Sequence, residues 1–201
     1  MSQAQLEPIT LAGTAVRLEP LALEHVPALT AAASEDRTTY DWTPVPDGES
    51  GHRRYVDGVL ADRAAGRRLA FATVRLDEDR VVGTTSYLDP QRWPGGGGKL
   101  DSIEIGATWL AASAQRTVVN TEAKLLMLAH AFDVLDVHRV VLNTDERNER
   151  SRNAIARIGA TFEGVLHGFR YGVEGGPRNT ATFAMTAAQW PDRKAALEAR
   201  V

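Results

Sequence analysis

"AQRTVVNTEAKLLMLAHAF", residues 114–132, is the stretch that decides how the rest of the chain is read. Gln115, Arg116 and Thr117 form a polar run, and two valines lead into Asn120-Thr121-Glu122. A long apolar helix follows, starting near Val118 and ending near Asp136. Just upstream, "DSIEIGATWLA" (101–111) reads as a strand. A strand feeding a helix through a short polar turn can hold an anion. The helix N-terminus leaves up to four N–H groups unpaired and carries about half a positive charge. The side chains of Gln115, Arg116, Thr117, Asn120 and Thr121 add donors, and the Arg116 guanidinium suits a phosphate. Turns of this kind normally use glycine, and none occurs between Ala114 and Phe132. The residues alone therefore leave two readings open: a phosphate-binding turn, or a structural helix capped by Asn120 or Thr121.

Working outward, the remaining pattern is a run of antiparallel strands followed by strand–helix–strand–helix–strand. "TAVRLEPL" (14–21) is a first strand, and "LEHVPALTAAA" (23–33) and residues 49–65 are helices around the loop "TTYDWTPVPDG". "RLAFATVRL" (68–76) and "RVVGTTSYLD" (80–89) make a hairpin across an acidic turn. "PQRWPGGGGKL" (90–100) is a flexible loop tip, "HRVVLNTD" (138–145) a β-branched strand, and "NERSRNAIARIGA" (148–160) a short helix ending at Gly159. Residues 161–172 and 178–187 form a closing hairpin, and the tail predicts a loosely attached helical turn or two. The fold class is α/β: one mixed, mostly antiparallel sheet flanked by helices, in a single domain spanning 1–201 with its core at about 14–190.

Composition narrows the function classes. With 43% hydrophobic and 24% charged residues the chain has the balance of an ordinary globular protein, and a net charge of −3 offers no footprint for nucleic acid. No apolar run approaches the ~20 residues of a membrane span, and "MSQAQLEPIT" lacks a signal-peptide pattern. The absence of cysteine removes disulfides, thiolate nucleophiles and cysteine zinc sites, so a cytoplasmic location is expected. The four glycines before Lys99 do not make a nucleotide loop, because Leu100 stands where a magnesium-binding hydroxyl belongs. His25, His52, His130, His138 and His167 lie in separate elements without metal-ligand spacing, so no metal is expected. No Gly-x-Ser-x-Gly elbow occurs.

Four blocks in order, "EIGATWL", "QRTVVNTEA", "NERSRNAIARIGA" and "FEGVLHGFRYG…RNTATFAMTAAQW", resemble the GNAT acyl-CoA N-acyltransferases. Within that family they are most similar to the branch containing the ribosomal-protein N-terminal acetyltransferases. The similarity runs from about Val16 to Trp190. It implies acetyl-CoA as co-substrate, no metal, and an amine acceptor, either a small molecule or a protein N-terminus. Charge and hydropathy point to no nucleic-acid or membrane partner, and relatives in the family often pair as homodimers.

The family's pyrophosphate turn, Gln/Arg-x-x-Gly-x-Gly/Ala, aligns with Gln115-Arg116-Thr117-Val118-Val119-Asn120, where Val118 and Asn120 replace both small residues. Valine still offers its N–H if its dihedrals stay helical. The resemblance assigns Thr121 to the same cradle and backbone N–H groups around Thr108, Trp109 and Leu110 to the thioester oxygen. It places Asn148 at the pantetheine arm or acyl end and Ser151 near the sulfur. Many relatives carry a tyrosine acid on this last helix, but here it has none, which leaves Ser151 or a water as the acid.

Proton removal from the amine needs a base. Glu104 is the first candidate, a carboxylate on a central strand beside Ile103 and Ile105. Strict alternation puts it on one face with Gly106 and Thr108. The competing readings are a salt-bridged strand residue for Glu104 and a backbone-bonded hydroxyl for Ser151. Glu163 and Asp145 are fallback bases. The acceptor pocket is expected from the first two helices, the loop "RTTYDWTPVP" and the closing hairpin, lined by Tyr40, Trp42 and Trp93. Use of another acyl donor such as succinyl-CoA, or a CoA-binding sensor without activity, are the alternatives.

Overall fold

A computed structural model describes residues 6–201; the first five residues of the amino-terminal stretch lie outside the described residues. The elements are β1 (Leu11–Ala12), β2 (Val16–Pro20), α1 (Val26–Ser34), α2 (Gly48–Ala64), β3 (Arg68–Arg75), β4 (Arg80–Gln91) and β5 (Ser102–Leu110). They continue as α3 (Val118–Ala129), β6 (Arg139–Asp145), α4 (Glu149–Arg157), β7 (Thr161–Tyr171), β8 (Pro177–Thr186) and α5 (Trp190–Glu198). One sheet of eight strands runs in the order β1-β2-β3-β4-β5-β6-β8-β7, antiparallel throughout except for β5 against β6.

Alternation along β4 shows how the two faces are covered. Thr84 and Ser86 reach α2 through Tyr55 and Arg68, whereas Tyr87 lies on the opposite face and donates to the Met127 carbonyl of α3. Just beyond that contact, α3 widens into a π turn over His130–Val134. A side chain entering the helical ladder is a known cause of such a turn. The core lies on both faces, with Val56, Val59, Phe71 and Trp109 among its fully packed members on one side or the other, along with Met127, Leu128 and Leu142.

A buried carboxylate fixes α3 against the start of the sheet. Glu122 accepts from the backbone N–H groups of Thr14, Ala15 and Val16 at 2.7–2.8 Å and from the Thr14 hydroxyl at 2.8 Å. Burial works against this charge, but the hydrogen bonds outweigh it and hold the carboxyl below its ordinary range. Gly13 has to be glycine here, since a Cβ would sit 2.5 Å from the Glu122 carboxyl carbon.

The carboxyl-terminal segment differs from its sequence expectation. It is a nine-residue helix, α5, with Trp190 and Leu197 buried. Trp190 stacks on Phe132 with 5.4 Å between ring centroids and donates to Asp133 at 2.6 Å. Its few apolar residues are thus enough to dock it on the end of α3.

Candidate active site

The site is built where β5 and β6 separate. Their parallel pairing covers only Ser102↔Arg139, Ile103↔Val140 and Glu104↔Val141. From Ile105 to Leu110, β5 keeps β4 on one side and, among the described residues, has no strand partner on the other. The register between β4 and β5 slips by one residue between Thr84↔Trp109 and Ser86↔Gly106, marking a bulge at Ala107, whose φ is +47°. This bulge overturns strict alternation along β5. Thr108 turns to the α3 face, where its hydroxyl meets Thr85 and Lys124, and Trp109 takes the face that Glu104 and Gly106 occupy. Trp109 packs there as a core side chain against Tyr40 and His52.

At the far end of β5 the polar turn is organised in detail. Thr117 is the N-cap of α3: its hydroxyl accepts from Val119 N–H at 3.3 Å and donates to the Ala114 carbonyl at 2.7 Å. The cap is therefore Thr117 rather than Asn120 or Thr121, which lie one turn inside the helix. Val118 and Asn120 occupy the helix itself, with no left-handed backbone at either position. The left-handed residue of the turn is Arg116, φ +61°, whose side chain is exposed and forms no ion pair among the described residues. Val119 is a core side chain, so only its backbone belongs to the turn.

Gln115 points back into the protein: its Nε2 donates to the Leu110 carbonyl and to Thr39 Oγ1, both at 3.0 Å, and its Oε1 accepts from Arg150 at 3.4 Å. It thereby ties the end of β5, the loop after α1 and the start of α4 into one unit. Tyr40 OH adds a second bond to the Leu110 carbonyl.

β6 leads into α4, where the Asn148 side chain accepts from Ser151 N–H at 3.0 Å as the N-cap. Ser151 Oγ is half-buried and has no hydrogen-bond partner among the described residues, so the hydroxyl stays available. Glu104 lies at the base of the opening, at the last paired position of β5 and β6. Its carboxylate is buried and accepts from Arg170 at 2.7 and 3.2 Å and from Asn143 Nδ2 at 2.8 Å. The fallback carboxylates are both committed to arginines. Asp145 is gripped by Arg147 at 3.0 Å through two nitrogens, and Glu163 pairs with Arg139. Those guanidiniums hold both carboxyls below the usual range. Of the expected acceptor-pocket aromatics, Tyr40 and Trp42 lie near the opening, Trp42 under Arg147 at 4.0 Å. Trp93 instead stacks on His138 near the start of β6. Asp101 holds that loop there through the Trp93 N–H, well away from the turn.

Sequence reasoning missed Lys124. Its amine is buried behind the β5 bulge and donates to Thr108 Oγ1 at 2.8 Å and Thr85 Oγ1 at 3.0 Å, with no carboxylate partner among the described residues. Burial pushes it down to about 7. The available signal was its place on the apolar stripe of α3, with Met127, Leu128 and Ala131 at helical spacing. Among the described residues no group of His, Asp and Glu is arranged to hold a metal, and no helix is long and apolar enough to cross a membrane.

The donor set fits a phosphate-bearing thioester with an amide-containing arm. The N-terminus of α3 and the exposed Arg116 lie at the end of β5, whose edge away from β4 has no strand partner among the described residues beyond Glu104. The comparisons agree with that arrangement. The acetyltransferase (GNAT) domain family matches residues 15–161. A solved protein from T. thermophilus, assigned as an acetyltransferase, is 33% identical over 97% of this chain and 98% of its own, with TM-score 0.81. A GCN5-related N-acetyltransferase from Brucella melitensis is 29% identical over 97% and 86%, with TM-score 0.82. Mycobacterium smegmatis RimJ, solved with CoA-disulfide, shares the fold at 22% identity over 99% and 95%, with TM-score 0.77. No significant match to a curated protein was found. With a family match over most of its length and a relative one-third identical along nearly all of it, the chain belongs to the GNAT acetyltransferase family.

Proposed function

We propose that the protein transfers the acetyl group of acetyl-CoA to a primary amine by direct attack, with both substrates bound together. The observation that carries this reading is the loss of β6 as a partner of β5 beyond Glu104, directly beside the open N-terminus of α3. Acetyl-CoA brings the activated thioester. The chain supplies position and charge. Backbone N–H groups of the first turn of α3, with Arg116, hold the phosphates. Backbone N–H groups between Thr108 and Leu110 face the thioester oxygen as charge develops on it. Glu104, its carboxylate fixed by Arg170 and Asn143, takes the proton from the attacking amine. The free Ser151 hydroxyl gives a proton to the departing sulfur. Holding both substrates in one opening saves much of the association entropy. The acceptor is a small-molecule amine or a protein N-terminus, and the protein acts in the cytoplasm.

The test follows free thiol release from acetyl-CoA with an amine panel, with melting shifts for acetyl-CoA, succinyl-CoA and CoA read in parallel. Acetyl-CoA is expected to raise the melting temperature and to be consumed. Absence of a shift with every CoA species would remove the reading, and a shift without turnover would favour a sensor. Glu104→Gln is expected to lower kcat about 100-fold with unchanged acetyl-CoA affinity, and Ser151→Ala to lower kcat by less. Unchanged turnover in either variant takes that residue out of the site.

A further inference from the structure

One half-buried guanidinium beside the opening, that of Arg178, has no carboxylate of its own among the described residues. Asn143 and Asp145 on β6, and Thr182, Thr180 and Arg178 on β8, alternate onto the same face of the sheet as Glu104. Three arginines meet two buried carboxylates there. Arg170 is taken by Glu104 at 2.7 Å and by Asp89 at 2.9 Å on the rim. Arg147 is taken by Asp145. Arg178 comes no closer than 3.9 Å to the already engaged Asp145. Its side chain is 16% exposed, and its Nε is buried without a partner.

The hydroxyls of Thr180 and Thr182 and the Oδ1 of Asn143 are buried and unpartnered on the same face. Four orphaned polar atoms in one patch are unusual for a folded protein, since a buried polar group without a partner costs about 1–3 kcal/mol. Their chemistry is directional. Arg178 Nε can only donate and Asn143 Oδ1, beside Glu104, can only accept, whereas the two threonine hydroxyls can do either and so can donate to an anion. A cleft of about 350 Å³ bounded by Arg147, Glu174, Pro177 and Arg178 reaches the patch at Arg178, and Asn143, Thr180 and Thr182 are not part of its wall. The acids on its wall are occupied or exposed: Glu146 is held by Asn179, and Glu174 is 67% exposed.

We infer that the acceptor amine carries a carboxylate, and that Arg178 with the Thr180 and Thr182 hydroxyls forms the subsite that receives it. The amine then lies toward Asn143 Oδ1 and Glu104. This rests on the acetyltransferase reading for the direction of the acceptor, but the carboxylate preference is testable without turnover. Calorimetric titrations would use N-acetylglycine and N-acetylglycinamide, and N-acetyl-aspartyl-alaninamide with its asparaginyl counterpart, each with and without CoA. The first pair presents the carboxylate of a free amino acid, the second that of an acidic peptide.

In at least one pair the acid should bind at least tenfold tighter than its neutral partner, and Arg178→Gln should erase the difference. Arg178→Lys, keeping the charge, should retain part of it, and melting curves verify that both variants fold. Equal or absent binding of acid and neutral probes in both pairs overturns the inference, as does an acid preference that survives Arg178→Gln. Failure to bind CoA in the same samples would instead strike the acetyltransferase reading and leave the carboxylate preference standing.

Discussion

Between Ser102 and Glu104, strand β5 has a neighbour on each side, whereas from Ile105 to Leu110 only β4 remains among the described residues. The two halves also keep their charges differently. In the closed half the buried carboxylate Glu104 is matched by Arg170 and Asn143. In the open half the buried amine of Lys124 has only two threonine hydroxyls. A single extra residue at Ala107, three positions past the last pairing with β6, flips the facing of the strand within the open half. In the first half both edges of the strand are paired, and in the second the edge away from β4 has no strand partner among the described residues.

The most damaging way to break this contrast is at Gly83, which faces the bulged half from β4. A Cβ there would lie 2.0 Å from the Trp109 carbonyl oxygen and 2.9 Å from Leu110 Cα, both backbone atoms that cannot step aside. Gly83→Ala is expected to cost about 3 kcal/mol or more in urea unfolding and to weaken CoA binding together with it. Unchanged stability would mean that the bulge yields without resistance.

Next in size is Arg170→Met, which strands the Glu104 carboxylate with Asn143 as its remaining donor. Breaking a buried pair from one side costs about 3–5 kcal/mol, and the partial exposure of Arg170 brings this to about 2 kcal/mol. The contrast is sharpened by what should not change. If the halves are independent, CoA affinity stays within about twofold of the parent, a difference of about 0.4 kcal/mol; a tenfold loss in calorimetry would merge them.

The open half was partly legible in the sequence because its signals are local. A polar triplet after a strand and before an apolar helix names the turn, and "NERS" marks a cap at the head of the next helix. The order of strands and helices was likewise written in hydrophobic periodicity. Three things were not legible. The bulge at Ala107 leaves no mark in "EIGATWL", since alternation reads straight through it. The Arg170–Glu104 pair joins residues 66 positions apart. The alternating "RNTAT" of β8 looks like an ordinary solvent face, until β6 and β7 bring Asp145 and Arg170 alongside it. The docking of α5 through Trp190 was underestimated for the same reason, as its partners Phe132 and Asp133 lie in a helix nearly sixty residues away.

Lys124→Met tests the open half with the opposite sign. The folded protein holds this amine near 7, against an ordinary value of 10.5. Between those values the unfolded chain binds a proton that the folded chain does not, so parent stability rises with pH across this window. It is lost again as pH falls toward 7, and below that the folded protein carries the charge in a dry site. Lys124→Met removes the dependence. At pH 6 the variant is expected to be more stable by about 2 kcal/mol, with the gap closing toward pH 10. Parallel stability–pH curves for the two proteins would show that the amine is not titrating in this window. A variant less stable at pH 6 would show instead that the Thr85 and Thr108 bonds outweigh the burial of the charge.

The smallest expected effect belongs to the turn itself. Val118 stands where a glycine is usual, yet it is the first helical residue of α3, its side chain is 38% exposed, and its backbone is not left-handed. Nothing in that conformation requires glycine, because the position that does take a left-handed φ is Arg116. Val118→Gly therefore gains no new backbone state that binding needs and loses some order in the unbound chain, at about 0.5–1 kcal/mol of stability. CoA affinity should stay within about threefold, equivalent to about 0.7 kcal/mol. A tenfold gain would mean that the valine side chain, and not the backbone, keeps the phosphates away from the N–H groups of α3. That outcome would place a main constraint on CoA binding at a single exposed isopropyl group.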